Sequence, residues 1–258
     1  MTGHTDVATA NVLRTLPHDA ARRALRDILS LEPDLVGLQE WGVSRHLLLR
    51  ETGSVRVPGG LVTQSGASEQ PGRYTWVSSP PLLGGCPVGA RSDRYQLLDT
   101  RFEVVGRLGR VDRDAGPPPV AVPRIVTLAV LRDEWRDRVV SVVNFHLTPR
   151  VQATGRYRED RPLLVARHRA EVRRIDRLVG EQLSLGRVVY AMGDSNFDGL
   201  RLAGLTSAWD GRDDGTGTLV ASRRKIDDVH GPGPATAVSL LTNDSDHRAV
   251  VVRRPDSP

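Results

Sequence analysis

Cysteine occurs once in the 258 residues, at Cys86, so no disulfide can form within the chain. That fits a reducing compartment. Aromatic residues make up 4% of the sequence, which argues against recognition of nucleic-acid bases by ring stacking. No stretch approaches the ~18 consecutive apolar residues that a membrane-spanning helix requires, so no integral membrane association is expected. Met1 to Ala10 shows no basic segment followed by an apolar core. A soluble cytoplasmic protein is the expectation, and a secreted protein whose signal had been removed would read the same way. Neither an internal repeat nor a low-complexity tract is present.

Lysine is also nearly missing. Of 36 basic residues only Lys225 is lysine, and the formal net charge is +5. A pI of about 10.1 favours an anionic partner such as nucleic acid, a phosphorylated molecule or a membrane surface. An arginine bias running through a whole chain also arises from genome composition, so the informative feature is local. Residues 150–177 hold nine arginines against Glu159, Asp160, Glu171 and Asp176, an excess of five that equals the net charge of the protein. Only Tyr157 in that segment is aromatic.

Val188-Val189-Tyr190-Ala191-Met192 is an apolar run rich in β-branched and aromatic types, the pattern of a strand buried on both faces. It stops at Gly193-Asp194-Ser195-Asn196, where the glycine is expected to let the chain turn. Asp194 and Asn196 are placed to face one point, and hard divalent cations such as Mg²⁺ take oxygen ligands of this kind. The plainer alternative is an ordinary turn, in which both residues are common.

Other predicted strands end on polar residues in the same manner. Residues 7–13 read as a short strand carrying Asn11, and 35–38 as a strand followed by Gln39, Glu40 and Trp41. Residues 125–131 and 139–145 read as a hairpin leading to His146, and a final strand is entered through Ser245-Asp246-His247. Residues 74–77, 95–98 and 102–108 supply further strands. Helices are expected after Pro17, with Ala21, Ala24, Leu25, Ile28 and Leu29 on one face, and over 161–185. Loops are expected at 53–73, 80–94, 112–123 and 148–162. Among them the Pro80-Pro81-Leu82-Leu83-Gly84-Gly85 stretch is the one candidate for an apolar, lipid-directed hairpin, and Pro117-Pro118-Pro119 reads as a surface connection.

Taken in order along the chain, Asn11, Leu38-Gln39-Glu40, Asn144-Phe145-His146, Gly193-Asp194-Ser195-Asn196, Ile226-Asp227 and Ser245-Asp246-His247 resemble the endonuclease/exonuclease/phosphatase superfamily, the deoxyribonuclease-I-like fold. The resemblance runs from Asn11 to Val252. It implies one catalytic domain over 1–258 of class α+β: a four-layer α/β/β/α sandwich, two mixed β-sheets packed face to face with helices outside. It also implies hydrolysis of phosphoester bonds with Mg²⁺ or Mn²⁺. Under the resemblance Glu40 is the principal metal ligand, Asn11 lies close to metal and phosphate, and Asp246 contributes through water. Asp194 and Asn196 would hold the attacking water and the phosphate, His247 would pair with Asp227, and His146 would donate to a nonbridging or leaving oxygen. Either Asp194 or the His247/Asp227 pair would serve as base. Two departures stand out. Asp228 follows Asp227 where the family usually has an aromatic residue, which makes Asp228 a rival, and the carboxylate that often supports the first histidine has no match better than Asp93.

The physical logic holds without the family. A phosphodiester is anionic and repels hydroxide, so a site that hydrolyses it must neutralise charge while a base takes a proton from water. The leading expectation is therefore a divalent-metal-dependent nuclease that contacts the nucleic-acid backbone with little sequence preference, acting on DNA or RNA as a monomer by in-line attack of water. A phosphatase or phosphodiesterase acting on a lipid headgroup, inositol phosphate or other small phosphoester is the alternative, and a noncatalytic binding module the third.

Overall fold

The computed structural model describes residues 3–56, 62–63, 73–79, 85–112, 120–212 and 215–256. Most of the expected 53–73 loop, Pro80 to Gly84 of the apolar stretch and the three consecutive prolines lie outside the described residues.

The apolar runs form two mixed sheets. The first has eight strands in the order Ala237–Leu241, Ala249–Pro255, His4–Asn11, Leu35–Gln39, Val88–Arg91, Tyr74–Val77, Gly53–Arg56 and Val62–Thr63. The second has six: Thr206–Ser207, Asp227–Gly231, Val188–Asp194, Arg138–His146, Arg124–Asp133 and Tyr95–Gly106. Parallel pairing joins His4–Asn11 to Leu35–Gln39 in one sheet and Arg138–His146 to Val188–Asp194 in the other. These strands read as continuous apolar runs because both of their faces are covered.

Inner faces meet in one cluster that includes Val7, Leu35, Val88 and Val252 from the first sheet with Leu131, Val142, Tyr190 and Met192 from the second. Helix His18–Ser30 lays Ala21, Ala24, Leu25 and Ile28 on the outer face of the first sheet. Helix Pro162–Ser184 covers the second with Ile175, Leu178 and Val179. The result is the expected α/β/β/α sandwich.

Several local expectations differ from the structure: the loops expected at 53–73 and 80–94 contain strands Gly53–Arg56 and Val88–Arg91. The first strand is His4–Asn11, so Asn11 is its last residue rather than an interior one. The two strands expected at 95–98 and 102–108 are one, Tyr95–Gly106, whose register against Arg124–Asp133 shifts at Val130/Leu131. An irregularity of this kind interrupts the side-chain alternation, which makes one strand read as two. Gly193 is no turn: strand Val188–Asp194 continues through it, and a Cβ there would lie 1.9 Å from the carbonyl oxygen of Phe145 on the neighbouring strand.

Candidate active site

Strand register alone brings several of the chosen residues together. His146 is paired with Asp194 across the parallel ladder, and Asp194 with Asp227 across the antiparallel one. In the facing sheet Asn11 is paired with Gln39, which precedes Glu40. These ends open on a cleft of about 500 Å³ lined by Asn11, Glu40, His146, Asp194, Asn196 and His247, together with Arg14, Trp41, Cys86 and Arg124.

Asp194 is the point of convergence. Its Oδ2 accepts a hydrogen bond from Asn11 Nδ2 at 2.9 Å, and its Oδ1 accepts one from the Asn196 backbone N–H at 2.7 Å. His146 Nε2 stands 3.5 Å from Oδ2, and His247 Nε2 stands 4.0 Å from it. Burial, reinforced by the nearby Asp227, pushes the Asp194 carboxyl up to about 7. His247 Nδ1 is 2.8 Å from Asp227 Oδ2. Burial works against charge on that ring, but the bond to Asp227 together with the charges of Asp227, Asp194 and Asp246 outweighs it, and the imidazole is pushed up to about 9. His146 moves the other way, well below the usual histidine range, through burial and then the charges of Arg124 and His247. The two rings thus differ in charge at neutral pH, His247 cationic and His146 neutral.

Glu40 and Asn196 both adopt left-handed backbone, with φ of 53 to 57°. Asparagine tolerates this region, but a glutamate held there stores about 1–3 kcal/mol of strain, which is common at functional sites. Glu40 Oε2 accepts the Arg14 backbone N–H at 2.9 Å. Asn11 Oδ1 is buried with no hydrogen-bond partner among the described residues, while its amide nitrogen is committed to Asp194. An orphaned amide oxygen and a carboxylate in one cleft are the donor types that Mg²⁺ or Mn²⁺ prefers. Asp194, Asp227 and His247 also place one potential ligand atom each within 4.8 Å of one another. The Nδ1 of His247 is already bonded to Asp227, so the Glu40/Asn11 pair fits a cation with less rearrangement.

The remaining chosen residues fall as follows. Asn196 turns its Nδ2 to the carbonyl of Leu147 at 3.1 Å, leaving one N–H of that amide for a ligand. Asp246 is exposed, outside the cleft lining, and its Oδ1 accepts from Ser245 Oγ at 3.3 Å. The rivalry between Asp227 and Asp228 is resolved: Asp228 turns to Ser207 Oγ at 2.6 Å and the Ala208 N–H at 3.1 Å, away from His247. Asp93 pairs with Arg91 and does not stand behind His146, whose neighbouring carboxylate is Asp194 itself. Cys86 lines the cleft, but burial pushes its thiol up to about 12, so it supplies no thiolate nucleophile.

The arginine-rich segment serves the fold more than the cleft. Arg158 pairs with Asp160, and Arg161 donates to the Asp112 carbonyl at 3.2 Å. Arg167 donates to the carbonyls of Arg107 and Val122, Arg174 to that of Val105, and Arg169 lies over the Tyr157 ring at 4.6 Å. The guanidiniums lining the cleft are those of Arg14 and Arg124, which nothing in their sequence context sets apart from the other arginines. His168 was also missed. It is fully buried, its Nε2 lies 2.8 Å from the Ser195 carbonyl, and its Nδ1 lies 3.0 Å from the Tyr157 hydroxyl. Its position on the apolar face of a predicted helix was the available signal.

No protein-family model and no curated protein sequence matches the chain. Solved structures do match. The endonuclease/exonuclease/phosphatase from Bacteroides vulgatus is similar with a TM-score of 0.66 at 17% identity, covering 97% of this chain and 98% of that one. D. rerio TDP2 complexed with single strand DNA product gives 0.61 at 16% identity, covering 97% and 98%. The mannosyl-6-phosphatase of Bacteroides thetaiotaomicron gives 0.62 at 12% identity, covering 96% and 98%. At these identities the likeness is one of fold.

Proposed function

We propose, from the premise that this chain has the fold of the endonuclease/exonuclease/phosphatase superfamily, that it is a divalent-metal-dependent phosphoesterase and specifically a nuclease hydrolysing DNA or RNA phosphodiester bonds. The observation that carries this reading is the convergence on Asp194 of Asn11, Asn196, His146 and the Asp227-supported His247, facing the strained Glu40 across one cleft. That set contains a proton acceptor, a cation beside it and neutral donors, which in-line attack by water on an anionic phosphate requires.

Glu40 and the orphaned Asn11 oxygen would hold Mg²⁺ or Mn²⁺, with Asp246 contributing through water. The ion would supply Lewis-acid neutralisation of the phosphate. Asp194, held by Asn11 and the Asn196 N–H, orients the attacking water and takes its proton. His247 presents Nε2–H to the reacting phosphate while Asp227 secures Nδ1. His146 donates to a nonbridging or leaving oxygen, and the free N–H of Asn196 to another. D. rerio TDP2, a neighbour in fold, has been captured with a single-strand DNA product, which supports a nucleic-acid substrate. The mannosyl-6-phosphatase shares the same fold, so fold does not choose between the two.

The test is Mg²⁺-dependent cleavage of supercoiled DNA, linear DNA and single-stranded RNA beside a panel of small and lipid phosphoesters, with EDTA and Asp194→Ala as controls. Cleavage of nucleic acid abolished by both controls is the expected result. Intact nucleic acid alongside hydrolysis of a small phosphoester would transfer the same chemistry to the phosphatase reading, and no hydrolysis by folded, metal-loaded protein would leave a binding module.

A further inference from the structure

We propose that Arg14 and Arg124 form two phosphate subsites on opposite walls of the cleft, so that the preferred substrate carries phosphates on both sides of the bond that is cut and cleavage falls within a strand rather than at its end. This rests on the nuclease reading and extends it.

Arg14 follows Asn11 by three residues, just beyond strand His4–Asn11 of the eight-stranded sheet. Its backbone N–H holds Glu40, and its exposed guanidinium has no hydrogen bond or ion pair among the described residues. Arg124 opens strand Arg124–Asp133 of the six-stranded sheet. It is partly buried, without a hydrogen bond or ion pair among the described residues, and near enough to His146 and Cys86 for its charge to act on both. Each sheet therefore contributes one uncompensated guanidinium to the same 500 Å³ cleft.

Several of the other arginines are matched. Arg94 meets Asp34 and Asp133, Arg45 donates to three carbonyls, and Arg167 and Arg174 are bonded to backbone carbonyls distant in sequence. Arg124, half-buried with no counter-charge among the described residues, is costly to leave so unless an anion joins it, Arg14 is exposed at the cleft and needs no such compensation, and the planar guanidinium fork of each matches phosphate. The phosphate under attack belongs to the Asp194 and Glu40 groups between the two walls. The arginines are then left for its neighbours along the strand. Among the described residues Trp41 is the only tryptophan, tyrosine or phenylalanine lining this cleft, and it is 1% exposed with its indole N–H bonded to the Arg45 carbonyl. With no exposed ring of those types there for a base to stack on, the strand is held by its backbone and little sequence preference follows.

The experiment compares wild type, Arg14→Ala and Arg124→Gln on oligonucleotides with one site of cutting, in which the linkage on its 5′ or 3′ side is a neutral methylphosphonate, and on bis(4-nitrophenyl) phosphate, which has a single phosphate. Arg14→Ala retains the backbone N–H that holds Glu40, and circular dichroism and thermal melting confirm folding. The expected result is a KM for the all-phosphate oligonucleotide raised about tenfold in each variant, with the log–log salt slope reduced by about one. The loss on bis(4-nitrophenyl) phosphate is at least tenfold smaller. A methylphosphonate on one side penalises wild type but adds nothing in the variant whose arginine served that side. Equal losses on both substrates, or methylphosphonate penalties that persist unchanged in both variants, would overturn the proposal by placing the arginines on the reacting phosphate or outside binding. Should wild type cut no nucleic acid at all, the nuclease reading itself fails, a result distinct from normal cutting that ignores the two arginines.

Discussion

Asp227 Oδ2 and His247 Nδ1 are 2.8 Å apart and buried, and the ring directs its other nitrogen toward Asp194 Oδ2 at 4.0 Å. The carboxylate decides which nitrogen faces the cleft and keeps the ring charged. Asp227→Asn preserves bulk but removes that charge. Turnover should fall about 10²- to 10⁴-fold, as for other positioned acid–base groups. His247→Ala should fall in the same range, and the double variant should be no worse than the poorer single one because the pair acts through one ring. Initial rates of plasmid nicking measure this, and losses that multiply would show that the two residues act separately.

Glu40, with its backbone at φ 57°, lines the same cleft as Asn11, whose Oδ1 has no donor among the described residues. If these oxygens hold the cation, Glu40→Gln weakens Mn²⁺ binding by more than the ~10–100-fold typical of losing an outer-shell partner. Titration calorimetry of the purified protein with Mn²⁺ reads this without reference to turnover. An unchanged affinity would shift the metal to the Asp194, Asp227 and His247 group.

His168 holds the Ser195 carbonyl between the two residues that matter most in the turn, Asp194 and Asn196. Carbonyl acceptance fixes Nε2 as the protonated nitrogen, so Nδ1 accepts from the Tyr157 hydroxyl. His168→Phe keeps a ring against Phe197 but leaves that carbonyl unpaired. The expected effect is a fall in kcat approaching about 10²-fold with KM nearly unchanged, the pattern of a misplaced reacting group. Tyr157→Phe should cost less. A kcat like wild type in His168→Phe would reduce the histidine to packing.

Gly193 has φ of 144°, and an added Cβ would lie 1.9 Å from the Phe145 carbonyl oxygen. That atom is backbone in the adjacent parallel strand, so nothing soft can yield. Gly193→Ala should lower the melting temperature sharply or prevent soluble expression, whereas Gly199→Ala, with open space around the same atom but also a positive φ of 87°, should cost only local strain. Similar melting temperatures for the two would show that the ladder can move apart.

The sandwich was legible because its central strands are near-continuous apolar runs and its two long helices carry clear faces. The candidate set was legible because strand ends are where a sandwich exposes polar side chains: Asn11, Glu40, His146 and Asp194 stand where strands finish, and Asp227 and His247 where others begin. What was hidden depends on distance across the chain. Gly193 looks like a turn in sequence because its constraint comes from Phe145, on another strand. Arg14 and Arg124 look like any of the basic residues until the two sheets bring them to one cleft. The 150–177 arginines look like an anionic binding face because carbonyls that accept from them, such as those of Val105 and Arg107, are distant in sequence.

Burial lowers the pKa of both His168 and His146 below the ordinary histidine value. The unfolded chain, with histidines near pH ~6.5, then binds more protons than the folded one, so their contribution to stability is present above about pH 6.5 and is lost as pH falls below it. Asp194, raised to about 7, opposes this, because between about pH 7 and 4 the folded state takes up its proton first and is favoured by acid. His247, raised to about 9, favours the folded state below pH ~6.5 and loses that contribution as pH rises through 9. Single variants separate these opposing slopes. In urea unfolding from pH 7 to 5, His168→Phe should lose less stability than wild type over the interval, by up to about 1.4 kcal/mol per pH unit for one proton. Asp194→Asn should lose more, since it lacks the group that gains from acid. Parallel curves for all three proteins would mean that neither residue changes its protonation on unfolding in this range.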